Sequence, residues 1–200
     1  MIEKSIPNIY IDTNICRDCI KGRDKETIHL MGLIRDNKWK CFTSVFTAME
    51  FTDTEKDAIF FNKKIRLGWD INKILRLRQQ KDISREDLKE AENVVKSFFD
   101  EYKFIEFVNI EDVNLEENEA WNLALKISSS SNLSAPDVIH LVTAWQSKCD
   151  IIITSDEFFI KEGNEILKKE KVWNKLRVCK PEDVKNTLSK LGFKIKSAEK

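Results

Sequence analysis

Glycine is scarce in this chain, with only five glycines among 200 residues. A phosphate-binding P-loop and a dinucleotide-binding fingerprint each need several glycines at fixed spacing. Neither pattern occurs in the sequence, which argues against P-loop nucleotide hydrolases and dinucleotide-dependent dehydrogenases.

The sequence also lacks the patterns typical of a disulfide-rich protein and of a membrane-spanning segment. The five cysteines are an odd number scattered along the chain, and they do not form a disulfide framework. No apolar run reaches the roughly 18 residues needed to span a bilayer. The N-terminus lacks a signal-peptide core because Tyr10 and Ile11 are followed at once by Asp12. We therefore expect a cytoplasmic protein without a membrane partner.

The chain has no net charge, but its charges are unevenly spread. Residues 62–89 are basic, with nine Lys and Arg and four Asp and Glu. Residues 90–119 are acidic, with two Lys and Arg and ten Asp and Glu. Residues 161–200 are again basic, with twelve Lys and Arg and six Asp and Glu. The two basic segments could grip a phosphate backbone on either side of an acidic centre. The alternative interpretation is that all three segments are solvated helix faces.

Hydrophobic segments of strand length alternate with segments of helical periodicity along the chain. An apolar content of 42% in 200 residues is enough for one domain with a full core. The alternation predicts a three-layer α/β/α fold with a mainly parallel central sheet. We expect a single domain over residues 1–200, with a helical insertion at about residues 53–100. The predicted strands are Asn8–Ile11, Trp39–Thr43, Lys103–Ile110, Cys149–Thr154 and Leu176–Cys179.

Four carboxylates stand at or beside junctions between a strand and a helix: Asp12, Glu50, Asp137 and Asp156. Because the carboxyl ends of parallel strands meet at one edge of a sheet, we expect them to share a pocket. Each also has a simpler structural interpretation. Asp12 and Asp156 suit helix N-caps, Asp137 suits a capping arrangement with Ser134, and Glu50 suits the edge of a buried helix face.

Accessory polar residues accompany these acids. Asn14 could orient Asp12 or a bound water, and Thr154 and Ser155 precede Asp156. His140 lies one turn after Asp137, where we expect a surface histidine; the other interpretation is a contact to substrate or a bound phosphate. Asp53 and Glu55 are alternatives to Glu50.

A cluster of carboxylates is normally tolerated because it holds a hard divalent cation with oxygen ligands, such as Mg²⁺ or Mn²⁺. Such an ion commonly activates water against a phosphate ester. The four acids therefore predict metal-assisted phosphodiester chemistry.

The order of these motifs resembles that of the PIN domain family. The resemblance rests on Tyr10-Ile11-Asp12-Thr13-Asn14, on Glu50 in a helix after the second strand, on residues 136–144 (PDVIHLVTA) and on residues 153–159 (ITSDEFF). It covers residues 8 to about 191. The spacing of 87 positions from Glu50 to Asp137 is longer than in compact toxin members of the family, and this stretch contains the basic segment.

The resemblance implies a metal-dependent ribonuclease, because PIN domains are typically Mg²⁺- or Mn²⁺-dependent and many are toxins of toxin–antitoxin pairs. It implies that Asp12, Glu50, Asp137 and Asp156 form the acidic cluster, that RNA is the substrate and that an antitoxin or other protein is a partner. Lys and Arg residues over 63–85 would hold the RNA backbone. We expect Trp69 to pack in the insertion, although stacking on a base is the alternative. The apolar helices over 59–77 are a candidate homodimer interface.

Three other functions are compatible with parts of the sequence. The first is a non-catalytic PIN-like module that binds RNA or protein. The second is a phosphotransferase of the haloacid dehalogenase type, but its second Asp is replaced here by Asn14. The third is a zinc site at Cys16 and Cys19, which has no second Cys or His pair at suitable spacing.

Overall fold

A computed structural model of the chain describes residues 6–108, 119–169 and 175–195. Five strands occur in these ranges: β1 (Asn8–Ile11), β2 (Lys40–Ser44), β3 (Ile105–Val108), β4 (Ile151–Ile153) and β5 (Arg177–Cys179). The helices are α1 (Thr13–Lys21), α2 (Lys25–Asp36), α3 (Val45–Arg66), α4 (Ile71–Leu77), α5 (Arg85–Glu101), α6 (Glu119–Ser130), α7 (Ala135–Gln146), α8 (Glu157–Lys169) and α9 (Val184–Lys190). Short 3₁₀ turns follow α4 and precede α9.

The five strands form one sheet in the order β3-β2-β1-β4-β5, and every neighbouring pair is parallel. Helices flank this sheet, so the predicted three-layer α/β/α class is confirmed. β1 has the predicted bounds, and β2 has the predicted length but is shifted by one residue. β4 and β5 are three residues and one residue shorter than predicted, and β3 begins two residues later than predicted. The third predicted strand ran to Ile110, and its last two residues lie outside the described part of the chain.

Alternate residues of the strands point to opposite faces of the sheet, as a period of two requires. On one face, Tyr10, Ile152 and Val178 belong to a buried cluster that also contains residues of α6, α7 and α8. The aliphatic residues between them, such as Ile9, Ile11, Ile151 and Ile153, are fully buried and point to the other face. Burial on both faces explains why these strands are almost uninterrupted apolar runs.

The chain divides into two compact units. The first consists of Met1–Val45 with Phe104–Lys200 and contains the whole sheet, and the second is Phe46–Lys103. The second unit is almost entirely helical, with α4, α5 and all of α3 except its first residue. The expectation of a single domain with an insertion over residues 53–100 stays a prediction.

The second unit has its own apolar core and its own ion pairs. Phe51 and Phe98 are fully buried, with ring centroids 5.8 Å apart in an edge-to-face arrangement. Asp57 accepts hydrogen bonds from Lys81 Nζ and Arg78 Nε, both at 2.6 Å. These contacts join α3 to the turn after α4.

None of the helices that the structure describes is long and apolar enough to cross a membrane.

Candidate metal-binding and active site

Asp12 lies at the point where β1 ends and α1 begins. Its backbone is extended, and its N–H donates to the carbonyl of Ile153 at 3.1 Å, so the ladder between β1 and β4 continues one residue beyond β1. Oδ1 accepts from the N–H of Thr13 at 2.6 Å, which makes Asp12 the N-cap of α1. The predicted capping role is therefore present, at a buried position that is only 6% exposed.

Four donors converge on the Asp12 carboxylate. Oδ1 receives the N–H of Thr13 and lies 3.3 Å from Nε2 of His140, while Oδ2 accepts from Asn14 Nδ2 at 3.0 Å and Thr154 Oγ1 at 2.7 Å. These donors belong to α1, α7 and the residue after β4. A buried carboxylate needs such donors to offset its lost hydration. Capping needs only one of them, so the rest serve to fix the orientation of this carboxylate.

Asn14 and the segment after β4 form a connected polar network. Asn14 Nδ2 donates to both Asp12 and Thr154, and Asn14 Oδ1 accepts from the N–H of Ser155 at 3.0 Å. Ser155 Oγ donates to Asp18 Oδ2 at 2.9 Å. The predicted accessory residues Asn14, Thr154 and Ser155 thus lie together at the carboxyl ends of β1 and β4.

Asp156 is an exposed N-cap of α8 beside this network. Its Oδ1 accepts from the N–H of Phe159 at 2.9 Å, and its own N–H donates to Thr154 Oγ1 at 3.1 Å. Thr154 Oγ1 therefore connects Asp12 and Asp156. The second oxygen of Asp156, Oδ2, accepts no hydrogen bond from any residue that the structure describes, which leaves it available to a ligand.

Asp137 forms a reciprocal capping box at the start of α7. Its Oδ2 accepts from the N–H and the hydroxyl of Ser134 at 3.1 and 2.7 Å, and Ser134 Oγ accepts from the N–H of Asp137. Its side chain is half-buried, and Oδ1 has no donor among the described residues. Asp137 lies one helical turn before His140, so both project from the same side of α7.

His140 is buried, and the expectation of a surface histidine was wrong. Its side chain is 1% exposed, with Nδ1 lying 2.9 Å from the hydroxyl of Tyr10. The Tyr10 hydroxyl also lies 2.9 Å from Ser44 Oγ. With Nε2 carrying a proton toward Asp12, Nδ1 can accept the Tyr10 proton in the neutral imidazole.

Glu50 lies in the second unit and is half-buried on α3, five residues after the helix begins. The position of Glu50 agrees with the prediction that it lies one to two turns into a helix. The role of Glu50 in the site stays a prediction. Asp53 and Glu55, the predicted alternatives to Glu50, lie in the same unit. Asp53 is exposed and 3.3 Å from Lys81 Nζ, whereas Glu55 is 2% exposed.

The basic segment of the second unit is partly neutralised within that unit. Lys63 Nζ donates to Asp87 Oδ2 at 2.7 Å, and the Asp57 carboxylate accepts hydrogen bonds from Arg78 and Lys81. Trp69 is half-buried, with Lys64 Nζ and Lys73 Nζ at 4.4 and 4.0 Å from the centroid of its ring. Lysine ammonium groups thus occupy the aromatic surface on which a base would stack.

The cysteines do not resemble a zinc site. Cys16 and Cys19 are free thiols on α1, and burial raises the pKa of the Cys16 thiol well above its usual value. A zinc ligand is a thiolate, which a low pKa favours. Cys41, Cys149 and Cys179 are also buried free thiols.

The oxygen-rich donor set fits a hard divalent cation. Asp12 lies where β1 ends and Asp156 follows β4, while Asp137 lies one turn before His140 on α7. Asp137 and Asp156 each retain a carboxylate oxygen without a donor among the described residues. Asp12 would join them by exchanging one of its present donors for the cation. Mg²⁺ and Mn²⁺ prefer such oxygen ligands.

Sequence reasoning missed Tyr10, Ser44 and Asp18. A tyrosine in an otherwise aliphatic buried strand needs a partner for its hydroxyl, and this was the available signal for Tyr10. Asp18 follows Asn14 by four residues on α1, so helical spacing places both on one side. Ser44, the last residue of β2, carries no comparable signal.

Comparison with known proteins supports the fold. No protein-family model matches the chain, and no curated protein matches it. A solved chain of VapBC2 from Rickettsia felis, bound to a DNA fragment from the promoter of the complex, has a similar structure with a TM-score of 0.52 and 11% sequence identity. The similarity covers 86% of this chain and 98% of the Rickettsia chain. At this identity the similarity concerns the fold alone, and it supports a PIN-like α/β/α architecture.

Proposed function

We propose that this protein is a cytoplasmic, divalent-metal-dependent endoribonuclease of the PIN type. The observation that carries the proposal is the Asp12 carboxylate, which is buried at the end of β1 and oriented by Asn14, Thr154 and His140. An N-cap needs no such set of donors. Three elements distant in sequence converge on this one group, with Asp137 and Asp156 at the ends of two neighbouring helices.

Each residue would have a distinct part in the reaction. Asp12, Asp137 and Asp156 would hold Mg²⁺ or Mn²⁺ directly or through water, and Asn14 and Thr154 would keep Asp12 in position. The bound cation would supply an activated water and neutralise charge developing on the phosphate. Glu50 is the fourth acid by family resemblance, and we propose that it completes the metal shell or positions the attacking water.

A toxin-type role is the finer form of this proposal. The VapBC2 structure is that of a complex bound to promoter DNA, and the family resemblance implies an antitoxin or other protein partner for this chain. The exposed apolar side chains of the second unit, Ile65, Leu67, Ile71 and Leu75, are 51–69% exposed. They offer a surface for such a partner or for a second copy of the chain.

The decisive experiment is a cleavage assay on a panel of structured and single-stranded RNAs with Mn²⁺, Mg²⁺ or EDTA. We expect metal-dependent cleavage by the wild type, and a loss of about 100-fold or more in the Asp12→Asn, Asp137→Asn and Asp156→Asn variants. Glu50→Gln tests the fourth acid in the same assay. Asp36→Asn is the matched control because Asp36 is an exposed acid at the end of α2.

Circular dichroism must show that the variants remain folded. Unchanged cleavage in all three Asp variants would refute the site. A wild type that neither cleaves RNA nor binds Mn²⁺ would instead favour the non-catalytic binding module.

A further inference from the structure

A groove with basic walls lies between α8, β5 and α9 in the first unit. It has a volume of about 500 Å³. Its polar lining consists of Lys168 from α8, Arg177 from β5, Lys190 from α9, and the side chains of Asn164 and Thr187. Val178 and Leu191 supply the apolar part. Among the residues that the structure describes, the groove lining therefore contains three cationic side chains and no carboxylate.

These three cations differ from their basic neighbours because they lack a carboxylate partner within the described residues. Lys180 Nζ donates to Glu157 at 2.7 Å, and Lys161 lies 3.8 Å from Glu162. Lys168 and Lys190 are exposed and have no such contact, and Arg177 is half-buried with NH1 donating to the carbonyl of Leu176 at 2.7 Å. No carboxylate in the described part of the chain therefore offsets the positive charge of the groove.

The walls of the groove are fixed by contacts that do not involve the cations. Asn164 Nδ2 donates to the carbonyl of Val178 at 2.7 Å, and Asn164 Oδ1 accepts from the N–H of Val178 at 3.1 Å. Asn164 therefore pairs with the outer edge of β5 as a neighbouring strand would. Gly163 allows this close approach, since a Cβ there would lie 3.1 Å from Val178 Cγ2. The groove is formed before any ligand arrives.

The groove lies toward the amino-terminal ends of the strands, whereas Asp12 lies at their carboxyl ends. Arg177 begins β5 and pairs in register with Ile151, the first residue of β4, whereas Thr154 and Asp12 stand where β4 and β1 end. Three residue steps lead from Ile151 to Thr154, a distance of about 10 Å along the strand. A ligand held in the groove is consequently separate from a group reacting at Asp12.

We propose that this groove binds backbone phosphates of the RNA, several nucleotides from the bond that is cleaved. The inference rests on the proposed function and adds a second contact region for its substrate. Three unpaired cations suit a repeating phosphodiester, and the guanidinium of Arg177 can present two parallel donors to one phosphate. An amphipathic acidic peptide would need a larger apolar surface than Val178 and Leu191 provide.

The test is the salt dependence of RNA binding, measured by fluorescence anisotropy with a labelled single-stranded RNA in EDTA. All proteins carry Asp12→Asn, so neither cleavage nor metal binding enters the result. The double variant Lys168→Gln/Lys190→Gln should bind RNA several-fold more weakly at 0.1 M salt. Its slope of log affinity against log salt concentration should be shallower by about 1.4, because each lost phosphate contact removes about 0.7.

The matched control is Lys25→Gln/Lys40→Gln, which removes two exposed lysines elsewhere in the same unit. We expect the control to keep the parental slope. Adding Arg177→Gln to the groove variant should lower the slope further, and the double variant alone suffices if that triple variant unfolds.

Three results would overturn the proposal. The first is an equal change of slope in the groove and control variants. The second is competition by polyglutamate as effective as that by RNA at equal charge. The third is groove-dependent binding of inorganic phosphate without any effect on RNA affinity, which would assign the groove to a small phosphorylated ligand. A failure of the ribonuclease proposal would appear in the cleavage assay and leave this binding test intact.

Discussion

At the scale of single residues, His140 connects the acidic edge of the sheet to its core. One ring nitrogen lies 3.3 Å from the Asp12 carboxylate and the other 2.9 Å from the Tyr10 hydroxyl, all in a buried setting. Replacing His140 by Leu would leave both partners with one hydrogen bond fewer. We expect His140→Leu to lower the free energy of unfolding by about 2–3 kcal/mol, measured by urea denaturation.

His140→Gln should be less damaging by about 1 kcal/mol, because its amide nitrogen can reach the position of Nε2 and donate to Asp12. Ile139→Gln is the control, since Ile139 is 39% exposed on the same helix, and should change stability by no more than about 0.5 kcal/mol. If the Leu variant were as stable as the wild type, the contacts of His140 would not contribute to the folded state.

At the scale of elements, the ion pairs of Asp57 hold α3 to the turn after α4. Burial of Asp57 raises its pKa, but the hydrogen bonds from Lys81 and Arg78 outweigh this effect and hold the pKa below its usual value. A carboxyl group with a lowered folded-state pKa stabilises the protein above its unfolded pKa, and this contribution is lost as the pH falls through the folded value.

We therefore expect Asp57→Asn to lower the free energy of unfolding by about 2 kcal/mol at pH 7, since two cations lose a partner that is only partly screened. The difference from the wild type should begin to shrink below about pH 4, where the Asp57 carboxyl of the unfolded chain becomes protonated, and it should be lost as the pH falls further through the lowered folded-state pKa. Asp53→Asn is the control, because Asp53 is 63% exposed in its side chain, and should cost less than about 0.5 kcal/mol. A deficit that persists unchanged at pH 2.5 would argue against the ion pairs as its cause.

At the scale of the whole molecule, a cation bound at the acidic edge should stabilise the fold that forms its site. At a Mn²⁺ concentration of about 100 times Kd, linkage predicts about 2.7 kcal/mol of added stability. Differential scanning calorimetry should show a higher Tm with Mn²⁺ in the wild type and in Asp36→Asn, and no increase in Asp12→Asn. An equal increase in all three proteins would place the bound ion elsewhere.

The sequence was sufficient to predict most of the local structure. Strand and helix periods are properties of neighbouring residues, so the alternation of β1, β2, β4 and β5 with helices could be recognised in order. The capping box of Ser134 and Asp137 likewise depends on residues three apart. The proximity of Asn14, Thr154 and Asp12 follows from one rule, that the carboxyl ends of parallel strands lie on the same side of the sheet.

Only the tertiary structure decided which side chains meet across long separations in the chain. The contacts from Tyr10 to Ser44 and to His140 join residues 34 and 130 positions apart, and no local pattern distinguishes a buried histidine of this kind from an exposed one. The same holds for the groove, since the sequence shows many lysines without showing which ones lack a carboxylate. Periodicity and capping depend on neighbouring residues and can therefore be predicted from the sequence. Burial and charge pairing depend on the packing of elements that are distant in the sequence.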